Sequence, residues 1–137
     1  MKVTASTTPA HRRWAASPTR ATNAGRPAPD AVVRDGTAVL IFVTEDFSDS
    51  LRVKADPGQH PPSDVYPVMK LNAIRDFQTG IYHYDVMTSV FARVAAGWPV
   101  AKVSFSSQEW CGQVYHHIVP RDGRVTGVLH SYFDGEA

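Results

Sequence analysis

The chain of 137 residues is long enough for one small domain and argues against two. With 14 basic and 13 acidic side chains its formal charge is only +1, which gives no electrostatic reason to expect nucleic acid or an anionic membrane as partner. A single cysteine excludes an intramolecular disulfide framework and a Cys-rich zinc module, and no apolar run approaches the ~18–20 residues of a membrane-spanning helix.

Residues 1–35 carry six basic groups against two acidic ones, whereas residues 36–137 carry eight against eleven. The first segment is rich in Ala, Thr, Ser, Pro and Arg and has neither helical nor strand periodicity. It buries too little apolar surface to offset its ordering entropy, so a disordered tail is expected. Pro9, Pro18, Pro27 and Pro29 rule out the long amphipathic helix of an organellar transit peptide. Nothing before Val39 supplies the apolar core of a secretory signal.

From Gly36 onward the pattern is that of strands. Thr37–Glu45 is a continuous β-branched and aromatic run, and Leu51–Lys54 reads as a short returning strand. Pro57-Gly58 marks a turn, Pro61-Pro62 keeps its segment out of any central strand, and Pro67–Ile74 resumes extended structure. Tyr82, Tyr84, Val86, Val90 and Ala92 then alternate with His83, Asp85 and Ser89, the mark of a half-buried strand. Pro99–Ser106 follows, with Ala101, Val103 and Phe105 on one side.

Asp122-Gly123, between apolar segments, predicts a two-residue type I′ hairpin, because both of its residues need positive φ. That turn would place Pro120 opposite Val125, Ile118 opposite Gly127 and His116 opposite Leu129. Val114, His116, Ile118, Val125, Leu129 and Phe133 would form the core side. Gln113, Tyr115, His117, Val128, His130 and Tyr132 would form the other face, which is rich in groups that donate and accept protons. The whole reads as all-β: an antiparallel twisted sheet or an incomplete sandwich or barrel over residues 36–137, behind the disordered tail.

No motif is strong enough to name a reaction, and no cofactor is expected. Gln113, Tyr115, His117, His130 and Tyr132 are the candidate binding residues. Cys111, in Gln108-Glu109-Trp110-Cys111-Gly112, is the alternative catalytic candidate, a nucleophile in need of a histidine base such as His83. His116 and His117 lie ~16–20 Å away if Cys111 shares their strand. His117 and His130 sit diagonally at ~7–8 Å, the alternative metal pair if a third ligand joins them. Tyr82 and Tyr84, with Thr79-Gly80, suit either packing or a groove for carbohydrate or lipid. The acidic groups Glu45, Asp46, Asp49 and Asp56 lack the spacing of a calcium loop.

Several phrases carry a resemblance: Gly36–Ser48, QTGIYHY (Gln78–Tyr84), MTSVF (Met87–Phe91), SSQEWCGQVY (Ser106–Tyr115) and HSYFDGE (His130–Glu136). Over about Asp35 to Ala137 the chain resembles an uncharacterised β-rich family of exported or lipoprotein-type proteins of Gram-negative bacteria, with QEWCG its most specific string. Some relatives carry the label septum formation inhibitor Maf. The Ser-Pro-Arg-Arg-type motif of that enzyme family is not matched, since Ser17-Pro18 is followed by Thr19-Arg20.

The resemblance implies a periplasmic or outer-membrane setting and an internal slice of a larger module, because relatives continue on both sides. Its implied function is a non-catalytic β-sheet module binding a ligand or an envelope protein on one sheet face. A small hydrolase using Cys111 or His117 and His130 is the alternative. Edge strands left uncovered in such a slice would favour self-association.

Overall fold

The structure, a computed structural model, describes Thr4–Ala5 and residues 35–136. Apart from Thr4–Ala5 and Asp35, the expected tail lies outside the described residues. The strands are β1 (Thr4–Ala5), β2 (Gly36–Ser48), β3 (Val65–Thr79), β4 (Tyr82–Arg93), β5 (Val100–Gln108), β6 (Gln113–Arg121) and β7 (Arg124–Ser131). Each pairs antiparallel with the next in chain order, and the sheet does not close into a barrel. Short 3₁₀ turns at Pro62–Asp64 and Asp134–Glu136 are the only helical pieces among the described residues.

Two tight turns set the register. Thr79 pairs with Tyr82 across Gly80-Ile81, with Gly80 at φ 61°, the first-position glycine that a type II′ hairpin demands. Arg121 pairs with Arg124 across Asp122 and Gly123, at φ 52° and 71°, as a type I′ turn requires. The pairs Pro120–Val125, Ile118–Gly127 and His116–Leu129 follow as the turn predicts. Gly123→Val is expected to cost about 1–3 kcal/mol in chemical denaturation. The new side chain meets open space, so any loss reports backbone strain alone.

Leu51–Lys54 is not a strand. Ser48 ends β2 by turning the chain: its Oγ accepts from Leu51 N–H (3.1 Å), and its carbonyl accepts from Arg52 N–H (3.0 Å). Arg52 takes φ 58°, and only Lys54 makes a single bridge back to Phe47. Local polar bonding has displaced the ladder that the apolar alternation suggested.

Asp64 ties this loop down. Its carboxylate accepts from Ser48 Oγ (2.6 Å), Ser50 N–H (2.8 Å) and Ser50 Oγ (2.9 Å), with His60 Nδ1 at 3.2 Å. The Ser48 hydroxyl, ahead of the Ser50 groups and His60, holds Asp64 down at about 2 against an ordinary 3.8, although desolvation opposes the shift. A folded-state value below the free value favours the fold above pH ~4 and loses that contribution as pH falls towards 2. Asp64→Asn should therefore lower the melting temperature at pH 7. The gap from the parent should close in melts repeated at pH 4, 3 and 2.

The strand register also sorts the two faces. Phe47, Tyr66, Val68, Phe91 and Ala101 gather on one face, here the inner one, where the Ser48–Asp64 loop folds back. Phe47 meets Phe91 at 5.1 Å and Tyr66 edge-on at 5.9 Å between ring centroids, and Arg93 lies 3.6 Å over the Tyr66 ring. Arg52 donates to Tyr66 OH, Lys102 to Arg52 C=O and Arg121 to Asp49 C=O, which fastens the loop across the sheet. Ala101 reaches this core because a bulge at Phe91/Ala92 shifts the β4–β5 register by one residue.

The expected core side of the last hairpin is not a core. Val114, His116, Ile118, Val125 and Leu129 align with Tyr84, Val86, Val90, Val103 and Phe105 on the outer face. Val125 is 66% exposed and Leu129 47%, because no second layer covers that face among the described residues.

Candidate functional site

Two neighbouring rows of side chains run across the inner face. One is Ile74, Met87, Ser106, Tyr115 and His130, each directly opposite the next on adjacent strands. The other is Asp76, Asp85, Gln108 and Gln113, which Tyr132 extends by donating its N–H to the Gln113 carbonyl. The Glu109–Gly112 turn joins β5 to β6 above these rows. It is closed by Glu109 N–H to Gly112 C=O (3.0 Å) and by Cys111 N–H to the Glu109 carboxylate (3.0 Å). Beneath it lies an open cleft of about 820 Å³ whose lining includes Asp85, Gln113, Tyr115, His130 and Tyr132.

Four of the five sequence-derived binding residues therefore line one cleft, and His117 lies one row away, opposite Ser104 and Val128. The Tyr115 and His117 rings approach at 5.6 Å, and His117 Nδ1 is buried without a hydrogen-bond partner. His117 and His130 hold the diagonal that the hairpin predicts. Among the described residues no third ligating group converges on them.

Cys111 sits in the turn rather than on β6, so the strand-based separation from His116 and His117 does not apply to it. Its exposed thiol neighbours the Tyr82 hydroxyl, and the Glu109 carboxylate bonded to its N–H lies in the same turn. The hydrogen bond to Cys111, then the charge that the thiol carries when ionised, push the Tyr82 phenol above its usual value, with desolvation and Glu109 adding to the effect. A cysteine nucleophile needs a cation or an imidazole, and this thiol has an acid and a phenol as neighbours.

His83, the base considered for Cys111, is engaged elsewhere. Its Nε2 lies 2.9 Å from Asp76 Oδ2 and 3.6 Å from Asp85 Oδ1. The Gly80-Ile81 turn assembles this group by setting Asp76 opposite Asp85, with His83 two residues along on the same face. The alternation His83-Tyr84-Asp85 places two of the three on one face. Asp76 joins them only through the turn, whose Gly-X signature is the signal that reveals it.

The aromatic pair Tyr82 and Tyr84 divides between roles. Tyr84 stacks on Phe77 of the neighbouring strand at 5.2 Å, with planes 4° apart, which is cross-strand packing. Tyr82 meets Trp110 edge-on at 6.1 Å and so braces the turn over the cleft.

The chain matches no family model, no curated protein and no solved structure. The site's own chemistry therefore has to carry the functional reading. Trp110 and Tyr132 stand 71% and 70% exposed at the cleft although Tyr82 and Phe133 meet them edge-on, which leaves most of both rings open to a ligand.

Proposed function

We propose that the chain is a non-catalytic β-sheet module of a bacterial cell-envelope protein, holding a polar, ring-bearing ligand in the cleft beneath the Glu109–Gly112 turn. The observation that carries this reading is the meeting of exposed Trp110 and Tyr132 with Gln113, Tyr115 and His130 around one open cleft. Aromatic faces supply contact area, while amide, phenol and imidazole groups supply direction, the usual division of labour in a small-ligand site. The envelope setting is supported by the resemblance of residues 35–137 to exported proteins.

The test is a titration of ¹⁵N-labelled protein with peptidoglycan fragments and, separately, with short peptides, both in chelator. Shifts confined to Gln108–Tyr115 and His130–Tyr132 support the reading. Gly112→Ala supplies the control, because a Cβ there would fall 2.6 Å from Tyr132 Cγ and 2.8 Å from its Cβ and so drive that ring out of place. Binding should weaken in this variant and in Tyr132→Ala. Shifts spread over Leu40, Phe42, Val103 and Leu129 instead would put the partner on the outer face and overturn the cleft.

A further inference from the structure

We propose that Asp76, His83 and Asp85 form a binding site for one zinc-class divalent cation on the inner face. This goes beyond the cleft reading and does not depend on it.

The register itself creates the need for a cation. Asp76 and Asp85 are direct cross-strand partners, and like charges opposed in this way destabilise a sheet. His83 projects its Nε2 between them, at 2.9 Å from one carboxylate and 3.6 Å from the other. That nitrogen carries at most one proton, aimed at one carboxylate at a time. A divalent ion in its place would engage both carboxylates and the imidazole together.

The spacing suits such an ion. One ligating atom from each side chain lies within 4.8 Å of the other two. Around a tetrahedral zinc ion with bonds of ~2.0–2.1 Å, neighbouring donors stand ~3.3 Å apart, a value between the 2.9 and 3.6 Å from His83 Nε2 to the two carboxylates. Little movement is needed to exchange the proton for the metal. One imidazole nitrogen with two carboxylates favours a borderline ion such as Zn²⁺ or Co²⁺. Calcium would demand six to eight oxygens, more than these side chains offer.

The three side chains are 43%, 43% and 66% exposed, so a bound ion would keep open positions for water and exchange with solvent. Asp85 also lines the cleft, which places the ion at its rim. A carboxylate or phosphate on a bound ligand is the chemistry that would take the open position.

The experiment is calorimetric titration of the full chain with ZnCl₂ in the absence of any organic ligand, followed by Co²⁺ absorbance. One ion per chain is expected, with a d–d spectrum in the intensity range of low coordination number. Asp76→Asn, His83→Gln and Asp85→Asn should each weaken binding by about 10-fold or more, the loss already seen when only an outer partner of a metal ligand is removed. Circular dichroism should be unchanged, since the replaced groups are surface-exposed. His117→Gln and His130→Gln should leave binding intact. Absence of binding overturns the proposal, as does binding that survives His83→Gln. Loss on replacing His117 or His130 would move the metal to that pair and would overturn it equally. The cleft titration is run in chelator and this one without ligand, so either can fail alone.

Discussion

Phe47→Ala is expected to cost about 3–5 kcal/mol, the range for deleting a fully buried aromatic ring. Phe47 is 0% exposed, and the buried cluster around it contains only Val68 and Ala101, flanked by Tyr66 and Phe91. A domain of this size has roughly 5–15 kcal/mol of net stability, so the variant should lose about a fifth of it or more. The matched control is Phe42→Ala, on the outer face at 49% exposure. Half the burial corresponds to about 1 kcal/mol. Urea denaturation of the two variants side by side reads the difference. Equal losses would mean that the outer face is covered, and the core would then lie on both sides of the sheet.

Self-association along β7 is the second large effect expected. β7 ends the sheet and is exposed over Arg124–His130, with Val125, Val128 and Leu129 between 41% and 66% accessible. Tyr132 N–H bonds to Gln113 C=O, so the alternation of an antiparallel ladder turns the N–H groups of Val125, Gly127 and Leu129 away from β6. Arg124 is the only charge on the strand, and it contains neither proline nor a bulge. These are the devices that ordinarily keep an edge from templating another chain.

Sedimentation velocity over a concentration series should show a dimer or larger species growing with concentration. Leu129→Pro removes an outward donor without breaking a bond to β6, and Val125→Lys places a charge on the same edge. Each should weaken association by about 10-fold or more, equivalent to ~1.4 kcal/mol. A clean monomer at every concentration, with one cooperative unfolding transition, would show the edge to be inert and remove the expectation that these strands need a neighbour.

The strand reading and the last hairpin were legible because they rest on local chemistry. Asp122-Gly123 needs positive φ at both residues, and few other pairs supply it, so the turn carries its register with it to His116 and Leu129. The returning strand at Leu51–Lys54 failed for an equally local reason. Ser48 and Asp64 bond the backbone there, and alternation of apolar residues does not register a competing polar bond. The Asp76–His83–Asp85 group was half legible: His83 and Asp85 share a face by period alone. Asp76 needed the Gly80-Ile81 turn to be recognised as a hairpin.

By itself, the order of residues determined that the chain makes antiparallel strands, where two of its turns fall, and which side chains share a face within each strand. These follow from sterics at single residues and from a period of two. Which face becomes the core was decided only by tertiary structure. The more apolar face, with Val103, Phe105, Ile118 and Leu129, lies outward, while the more polar one buries Phe47, Val68 and Ala101. The reason is that burial depends on what lies over a face. The Ser48–Asp64 loop, held by Asp64 and fastened by Arg52, Lys102 and Arg121, folds over the inner side, and no alternation within a strand encodes where a loop from elsewhere will settle.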